Sequence, residues 1–273
     1  MSKIKFAINQ ATTMESNFEE DIKAYSSAGF NSVEIWFDKL KVYIEKNGLA
    51  ETKKLLKECR ISPVGMCAQG DLMLTSGNRR KEVIKEFTEK LEICRYLEIP
   101  TLVVPTDFPD KVKEDDYGRC IPNIQKAGDI AERYGVALAI EFIAGARFLG
   151  SLSTAIEIVK KVDKKNVGIL FDTFHFYSGI SKFEDMDGLT KENLFFVHIN
   201  DVMGKPREVL TDGDRVFPGD GVLPLKKIIK KIIETGYTGY YSLELFNKAL
   251  WQKDAGDVAK KGYEALHKFL KEL

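Results

Sequence analysis

Short runs rich in β-branched and aromatic residues alternate with longer segments of helical period along the chain. The strand candidates are KFAIN from Lys5, SVEIWF from Ser32, PVGMCAQ from Pro63 and TLVVPT from Thr101. Four more follow: ALAIEF from Ala137, VGILFDT from Val167, LFFVHIN from Leu194 and YYSLELF from Tyr240. Between them the apolar positions change period. Val83, Ile84, Phe87, Leu91, Cys94 and Leu97 repeat every 3.6 residues and predict a helix over about Asn78 to Leu97. Leu225, Ile228, Ile229, Ile232 and Ile233 repeat the pattern, with Gly236 as a stop. A last helix starts near Asp254 and carries Val258, Leu266, Phe269 and Leu270. Turns punctuate the switch from helix to strand at Gly29, Pro63, Gly135 and Gly236.

Strands separated by helices imply parallel strands joined by right-handed crossovers. Eight such units fill the 273 residues, and no composition break divides them. The expected fold is therefore an α/β (β/α)8 TIM barrel forming one domain over residues 1–273. An open doubly wound sheet is the alternative. It is weakened by the absence of a G-x-G-x-x-G or P-loop turn.

Lysine plus arginine number 41 and aspartate plus glutamate number 41, so the formal net charge is zero. That balance argues against a protein that works by neutralising nucleic-acid phosphates. No apolar run is long enough to cross a membrane, and the N-terminus has no signal-peptide core. The four cysteines (Cys59, Cys67, Cys94, Cys120) form no C-x-x-C pair. They are expected as reduced core residues, which points to the cytoplasm.

In such a barrel, chemistry sits at the C-terminal ends of the strands. The last four strands each place one metal-capable side chain there: Glu141, Asp172, His198 and Glu244. Side chains alternate faces along a strand. Glu141 shares a face with Ala139, Asp172 with Leu170, His198 with Phe196 and Glu244 with Ser242, while the bulkier apolar set takes the other face. All four then point into the barrel mouth. Three carboxylates and an imidazole crowded together repel one another and pay for desolvation, a cost that a divalent cation removes. One nitrogen and three oxygens suit Mn²⁺ or Mg²⁺, with Co²⁺ and Zn²⁺ also compatible. The competing reading makes each a buried polar residue satisfied by a lysine, an arginine or water.

His175, just beyond strand six, either contacts substrate or bonds to backbone. Residues 201–221 form a long loop of little periodicity containing LTDGDRVFPGDG. Arg215 in that segment either donates to substrate oxygens or pairs with Asp212 or Asp214. Glu34 either faces the mouth or pairs with a neighbouring strand. Trp36, Phe37, Phe174, Phe176 and Phe217 lie near strand ends, where they wall a pocket or simply pack. His267 sits among lysines on the last helix and reads as a surface residue.

The segments NQATT, LAIEF, FDTFHF, VHINDV, LTDGDRVFPGDG and SLELF together resemble the xylose-isomerase-like barrel superfamily of sugar isomerases and epimerases. The resemblance covers nearly the whole chain. It lies nearest the inosose isomerase branch, chiefly through LTDGDRVFPGDG. It implies Glu141, Asp172, His198 and Glu244 as ligands of one divalent metal ion, with His175 and Arg215 on substrate. By analogy with the ketose 3-epimerases it gives Glu141 and Glu244 the acid–base role. The activity so implied is metal-dependent isomerisation or epimerisation of a polyhydroxy ketone, foremost 2-keto-myo-inositol to 1-keto-D-chiro-inositol through an enediolate. Inosose dehydratase and ketose 3-epimerase chemistry remain as alternatives on the same site. Apurinic endonucleases of this superfamily need several histidines for a zinc cluster, and this chain has three in all. The expected partner is a small polyhydroxy ketone, with no nucleic acid and no membrane. A homo-oligomer is left open.

Overall fold

The computed structural model describes residues 4–273. Eight parallel strands close on themselves: β1 (Lys5–Asn9), β2 (Ser32–Trp36), β3 (Ser62–Cys67), β4 (Thr101–Pro105), β5 (Ala137–Glu141), β6 (Val167–Asp172), β7 (Leu194–Ile199) and β8 (Tyr240–Leu243). Each pairs with its neighbours in chain order, and β8 pairs with β1 to complete the ring. The open doubly wound sheet is thereby excluded. All eight strand candidates appear, the first at its full predicted extent, the third starting one residue earlier at Ser62, and all but the first ending sooner than predicted. Phe37 leaves β2 to start a helix, and Glu244 falls just past β8.

The outer layer comprises α1 (Phe18–Ala28), α2 (Phe37–Glu58), α3 (Gly77–Leu97), α4 (Glu114–Glu132), α5 (Leu152–Val162), the short α6 (Thr173–Ser178), α7 (Leu225–Glu234), α8 (Lys248–Trp251) and α9 (Ala255–Lys271). Their ends follow local chemistry. In α1 the Asn17 side chain accepts from the Glu20 amide while Glu20 accepts from the Asn17 amide. Gly29 closes the same helix at φ 102°, a conformation that a side chain would strain. In α7, Leu225, Ile228, Ile229 and Ile232 face the barrel and the lysines face water, each buried aliphatic contributing about 1.5–3 kcal/mol. Ile233, grouped with them by its apolar character, lies on the partly exposed side of that helix.

The core has two layers that obey the predicted alternation. Leu138, Ile140, Phe142, Phe171, Val197, Tyr241 and Leu243 pack outward under the helices. Ala7, Val64, Cys67, Val103, Ala139, Leu170 and Phe196 fill the barrel interior. The interior is tight: a Cβ at Gly65 would lie 3.0 Å from Phe196 and 3.4 Å from Glu34. The four cysteines are unpaired, three of them buried and Cys59 partly so. No described helix is long and apolar enough to cross a membrane.

After β7 the chain forms the predicted long loop, but it is less irregular than its sequence implies. Asp201–Val202 pairs antiparallel with Arg215–Val216. The buried Asp201 carboxylate accepts from the amides of Val202, Gly219 and Leu223, which ties both ends of the loop together. That small ladder sets Arg215 over the barrel mouth.

Candidate active site and metal centre

Strand register fixes the first two ligand candidates. Glu141 and Asp172 are the last residues of β5 and β6, so both carboxylates emerge at the rim of the barrel. Asp172 is level with His198 on β7, and His198 is level with Ser242 on β8. Glu244, two residues on, takes the same inward face as Ser242. All four are buried.

One donor atom from each of the four lies within 4.8 Å of the others. His198 Nδ1 is 3.0 Å from Glu244 Oε2, 3.4 Å from Glu141 Oε1 and 3.5 Å from Asp172 Oδ2. Despite that proximity Nδ1 makes no hydrogen bond of acceptable geometry, so a buried polar atom is left aimed at three carboxylates. Burial pushes the Glu141 carboxyl up to about 7, with Glu244 and Asp172 adding to the rise and His198 opposing it. Burial also raises Glu244. Burial disfavours a charged His198, but Glu244 and Glu34 outweigh it and hold the imidazole well above its usual value. A buried ring nitrogen with no hydrogen-bond partner and carboxylates too crowded to ionise freely are what a divalent cation would satisfy, taking the place of the imidazole proton. The residues fit such an ion.

Asp172 divides its two oxygens between tasks. Oδ1 accepts from the Phe174 and His175 amides that begin α6 and from Asn200 Nδ2. Oδ2 is left for the cluster. There it meets Arg215, whose Nη1 donates at 2.7 Å to Asp172 Oδ2 and at 2.7 Å to Glu244 Oε2. The same guanidinium donates from Nη2 to Asp212 at 2.6 Å and lies 4.7 Å from the Phe174 ring and 5.2 Å from the Phe246 ring. The two readings of Arg215 are therefore not exclusive. It pairs with Asp212, as the structural alternative holds, and it also reaches the centre of the site. Burial works against its charge, yet Asp172, Glu244 and Asp212 hold its pKa above the ordinary arginine value. Burial pushes the Asp172 carboxyl up, but Arg215 first and the neighbouring His198 outweigh it, and the carboxyl rests well below the usual range.

His175 sits on the rim, with Nε2 4.0 Å from Glu141 Oε1 and Nδ1 3.4 Å from the Ala144 amide. Burial lowers its pKa to about 4, so it is a neutral imidazole near pH 7.

The aromatic candidates separate. Phe174 lies on Arg215, and Trp36 packs among the barrel-interior residues and meets Phe246 edge-on at 5.9 Å. Phe176 meets Phe171 at a tilt and Phe183 edge-on, Phe217 packs beside Gly262 of α9, and Phe37 lies under Lys90. Those three belong to the outer packing. Phe246 has no place among the aromatic residues singled out by strand position, although it is the last residue of the SLELF run. His267 is partly buried rather than a plain surface residue: its ring stacks on Tyr263 at 3.9 Å.

Strands β1–β3 contribute a part of the site that strand-end acids do not mark. Glu34 is fully buried and bonded to His198 Nε2 through both oxygens, at 3.0 and 3.1 Å. Cys67 Sγ donates to Glu34 Oε1 at 3.1 Å. Asn9 Nδ2 donates to Glu244 Oε1 at 3.0 Å. Asn9 belongs to NQATT, a segment otherwise recognised only for its resemblance.

The family model for the xylose isomerase-like TIM barrel matches residues 22–273. The inosose isomerase of Halalkalibacterium halodurans is 33% identical over 266 residues, covering 94% of this chain and 93% of that one. The Bacillus subtilis inosose isomerase is 31% identical, covering 94% and 96%. Among solved structures, the IOLI protein with a binding zinc atom superposes with a TM-score of 0.93 at 28% identity, covering 98% of this chain and 99% of that chain. D-psicose 3-epimerase in the presence of D-fructose gives a TM-score of 0.79 at 21% identity, over 97% and 98%, a likeness of fold.

Proposed function

Since the chain belongs to the xylose isomerase-like TIM barrel family, we propose that it is an inosose isomerase, converting 2-keto-myo-inositol to 1-keto-D-chiro-inositol. Its near full-length similarity to inosose isomerases supports the substrate class. The observation that carries the chemistry is the pair of buried carboxylates, Glu141 and Glu244, which flank His198 Nδ1 from β5 and β8.

Moving a carbonyl one carbon around the ring needs a proton removed from the hydroxyl-bearing neighbour. One of the two glutamates takes that proton, and the C–H electron pair becomes the enediolate double bond. Return of a proton to the former carbonyl carbon, with transfer of the hydroxyl proton between the two oxygens, completes the shift. A divalent ion held by Glu141, Asp172, His198 and Glu244 would stabilise the negative charge that develops on those oxygens. The oxygen-rich donor set suits Mn²⁺ or Mg²⁺ and accepts Co²⁺ or Zn²⁺. Arg215 donates to Asp172, Glu244 and Asp212 but keeps Nε without a partner in a dry site, a donor to offer to a substrate hydroxyl, while neutral His175 contributes a polar edge beside Glu141. The Arg215 loop covers the mouth and keeps water from the carbanion.

The test is turnover of 2-keto-myo-inositol by metal-reconstituted protein in deuterated water. Product carrying deuterium at the former carbonyl carbon is expected, except where the proton is returned without solvent exchange. Appearance of an ultraviolet-absorbing dehydrated product would reassign the site to a lyase. Epimerisation of a ketohexose at C3 with no action on inososes would keep the mechanism and reject the substrate.

A further inference from the structure

We propose that Glu34 is a positioning residue that turns His198 so that Nδ1, with its lone pair forward, faces the three carboxylates. The inference rests on the assignment of Glu141, Asp172, His198 and Glu244 as metal ligands and adds a residue to it.

A histidine ring carries two nitrogens, and the partner of one fixes the state of the other. Here both oxygens of Glu34 meet His198 Nε2, at 3.0 and 3.1 Å. Glu34 is an acceptor there, so Nε2 holds a proton and Nδ1 is the nitrogen free to ligate. Nδ1 points at Glu244, Glu141 and Asp172 and has no hydrogen bond of its own. A carboxylate behind a ligand imidazole also raises its basicity.

Glu34 is in turn held from behind. Cys67 Sγ donates to Oε1, and Asn9 Nδ2 lies 3.7 Å from that sulfur. Gly65 lies against the Glu34 stem, where a Cβ would touch Glu34 Cγ at 3.4 Å and crowd the Phe196 ring at 3.0 Å. Glu34, Cys67 and His198 also form a compact donor trio, but it is not a second metal site. Cys67 donates to Glu34 Oε1 and Glu34 accepts from His198 Nε2, so the three donors are already bonded to one another. The trio is a hydrogen-bonded chain ending on a ligand.

Glu34→Gln keeps the shape and an acceptor oxygen but removes the charge; Glu34→Ala removes both. Cobalt affinity, measured by chelator competition, should fall roughly 10–100-fold, less for Gln than for Ala. The melting temperature of metal-free Glu34→Gln reports folding separately. Ring nitrogen-15 spectra of the zinc-loaded protein, simplified by its three histidines, should show His198 with a slowly exchanging Nε2 proton in wild type and a faster one in Glu34→Ala. Should Ala fail to fold, Gln alone decides. Wild-type cobalt affinity in Glu34→Gln, alongside loss of cobalt in His198→Ala, would overturn the proposal and leave the ligand assignment standing. Wild-type protein that binds no cobalt would overturn the ligand assignment and this inference with it.

Discussion

Strands β5–β8 and strands β1–β3 face the same barrel interior with opposite chemistry. The first group presents Glu141, Asp172, His198 and Glu244, ionisable groups crowded within 4.8 Å. Their mutual partners are few, and Arg215 from the loop is the cation that relieves them. The second group presents Asn9, Glu34 and Cys67, each already donating or accepting a bond. One half of the ring is left electrostatically expensive, and the other half is satisfied. Frustration of that kind marks where a ligand acts, and satisfaction marks what holds the ligand's partners in place. The two halves should therefore fail differently when cut.

The largest losses are expected in the crowded half. Glu141→Gln and Glu244→Gln keep the side-chain shape but cannot accept the proton. Each should lower kcat on 2-keto-myo-inositol by roughly 10²–10⁴-fold, the range for removing a general acid or base, with some metal retained. Asp172→Asn and His198→Ala should instead lose metal. Metal content and single-turnover isotope exchange distinguish the two kinds of damage. Full turnover in either glutamine variant would exclude that glutamate as a proton carrier.

The two halves also differed in how far sequence revealed them. Glu141, Asp172, His198 and Glu244 stood out because acid or imidazole at a strand end, on the same inward face as Ala139, Leu170, Phe196 and Ser242, breaks an apolar alternation. The closed barrel is legible from a different pattern, eight apolar strands each followed by a segment of helical period. Glu34 breaks its strand pattern equally, but it sits mid-strand, and a buried glutamate looks alike whether it meets substrate or a histidine. Its role depends on His198, 164 residues away in the chain, a contact that no local spacing encodes. Asn9 and Cys67 carry still less signal, because amides and thiols are ordinary in turns and cores. Phe246 was hidden for a related reason: its ring matters only through Arg215, which the loop ladder brings to it.

Arg215 joins the two halves, since among the described residues it is the one arginine or lysine paired with these carboxylates, yet it belongs to neither set of strands. Arg215→Ala should keep the metal, because an arginine is no ligand at neutral pH. It should lose about 2–4 kcal/mol of transition-state stabilisation, as for one strong electrostatic donor in a dry site. kcat/KM with metal content measured on the same sample checks this. Unchanged kinetics would confine Arg215 to its pairing with Asp212.

The satisfied half should reveal itself in stability. Beneath NQATT, Asp21 is buried among Lys39, Gln10 and Thr13. Burial, partly offset by Lys39, raises its carboxyl to about 6 from 3.8. Below pH 4 both the folded and unfolded chains hold that proton. Between pH 4 and 6 the unfolded chain has released it and the folded one has not, so stability from this group falls as pH rises. The fall should amount to about 2–3 kcal/mol and level off above pH 6. Chemical unfolding of wild type and Asp21→Asn across pH 4–7 isolates it, because the variant lacks the titration. A stability difference that stays constant over that range would remove Asp21 from the account.

The smallest expected effect tests whether the satisfied half reaches catalysis at all. Asn9 Nδ2 donates to Glu244 Oε1 while Arg215 and His198 approach Oε2, so each oxygen of this glutamate has its own partner. Among the described residues no side-chain amide stands behind Glu141, and the imidazoles nearest it are His198 and the neutral His175. Removing the Asn9 amide frees one oxygen of Glu244 to rotate, and a lost hydrogen bond to a charged group costs about 1.5–3 kcal/mol at most. Part of that will be recovered by water entering the gap, so Asn9→Ala should lower kcat about tenfold, with KM little changed. Asn9→Asp should be worse than Ala, because it sets a second carboxylate against Glu244 in place of a donor. That order, Asn above Ala above Asp, belongs to a residue acting on Glu244 through charge. The Asn9 Oδ1 bond to the Ala11 amide serves the turn over residues 10–13, and Asp can replace it. If Asp proves better than Ala, Asn9 is there for the turn and β1 takes no part in aiming the glutamate.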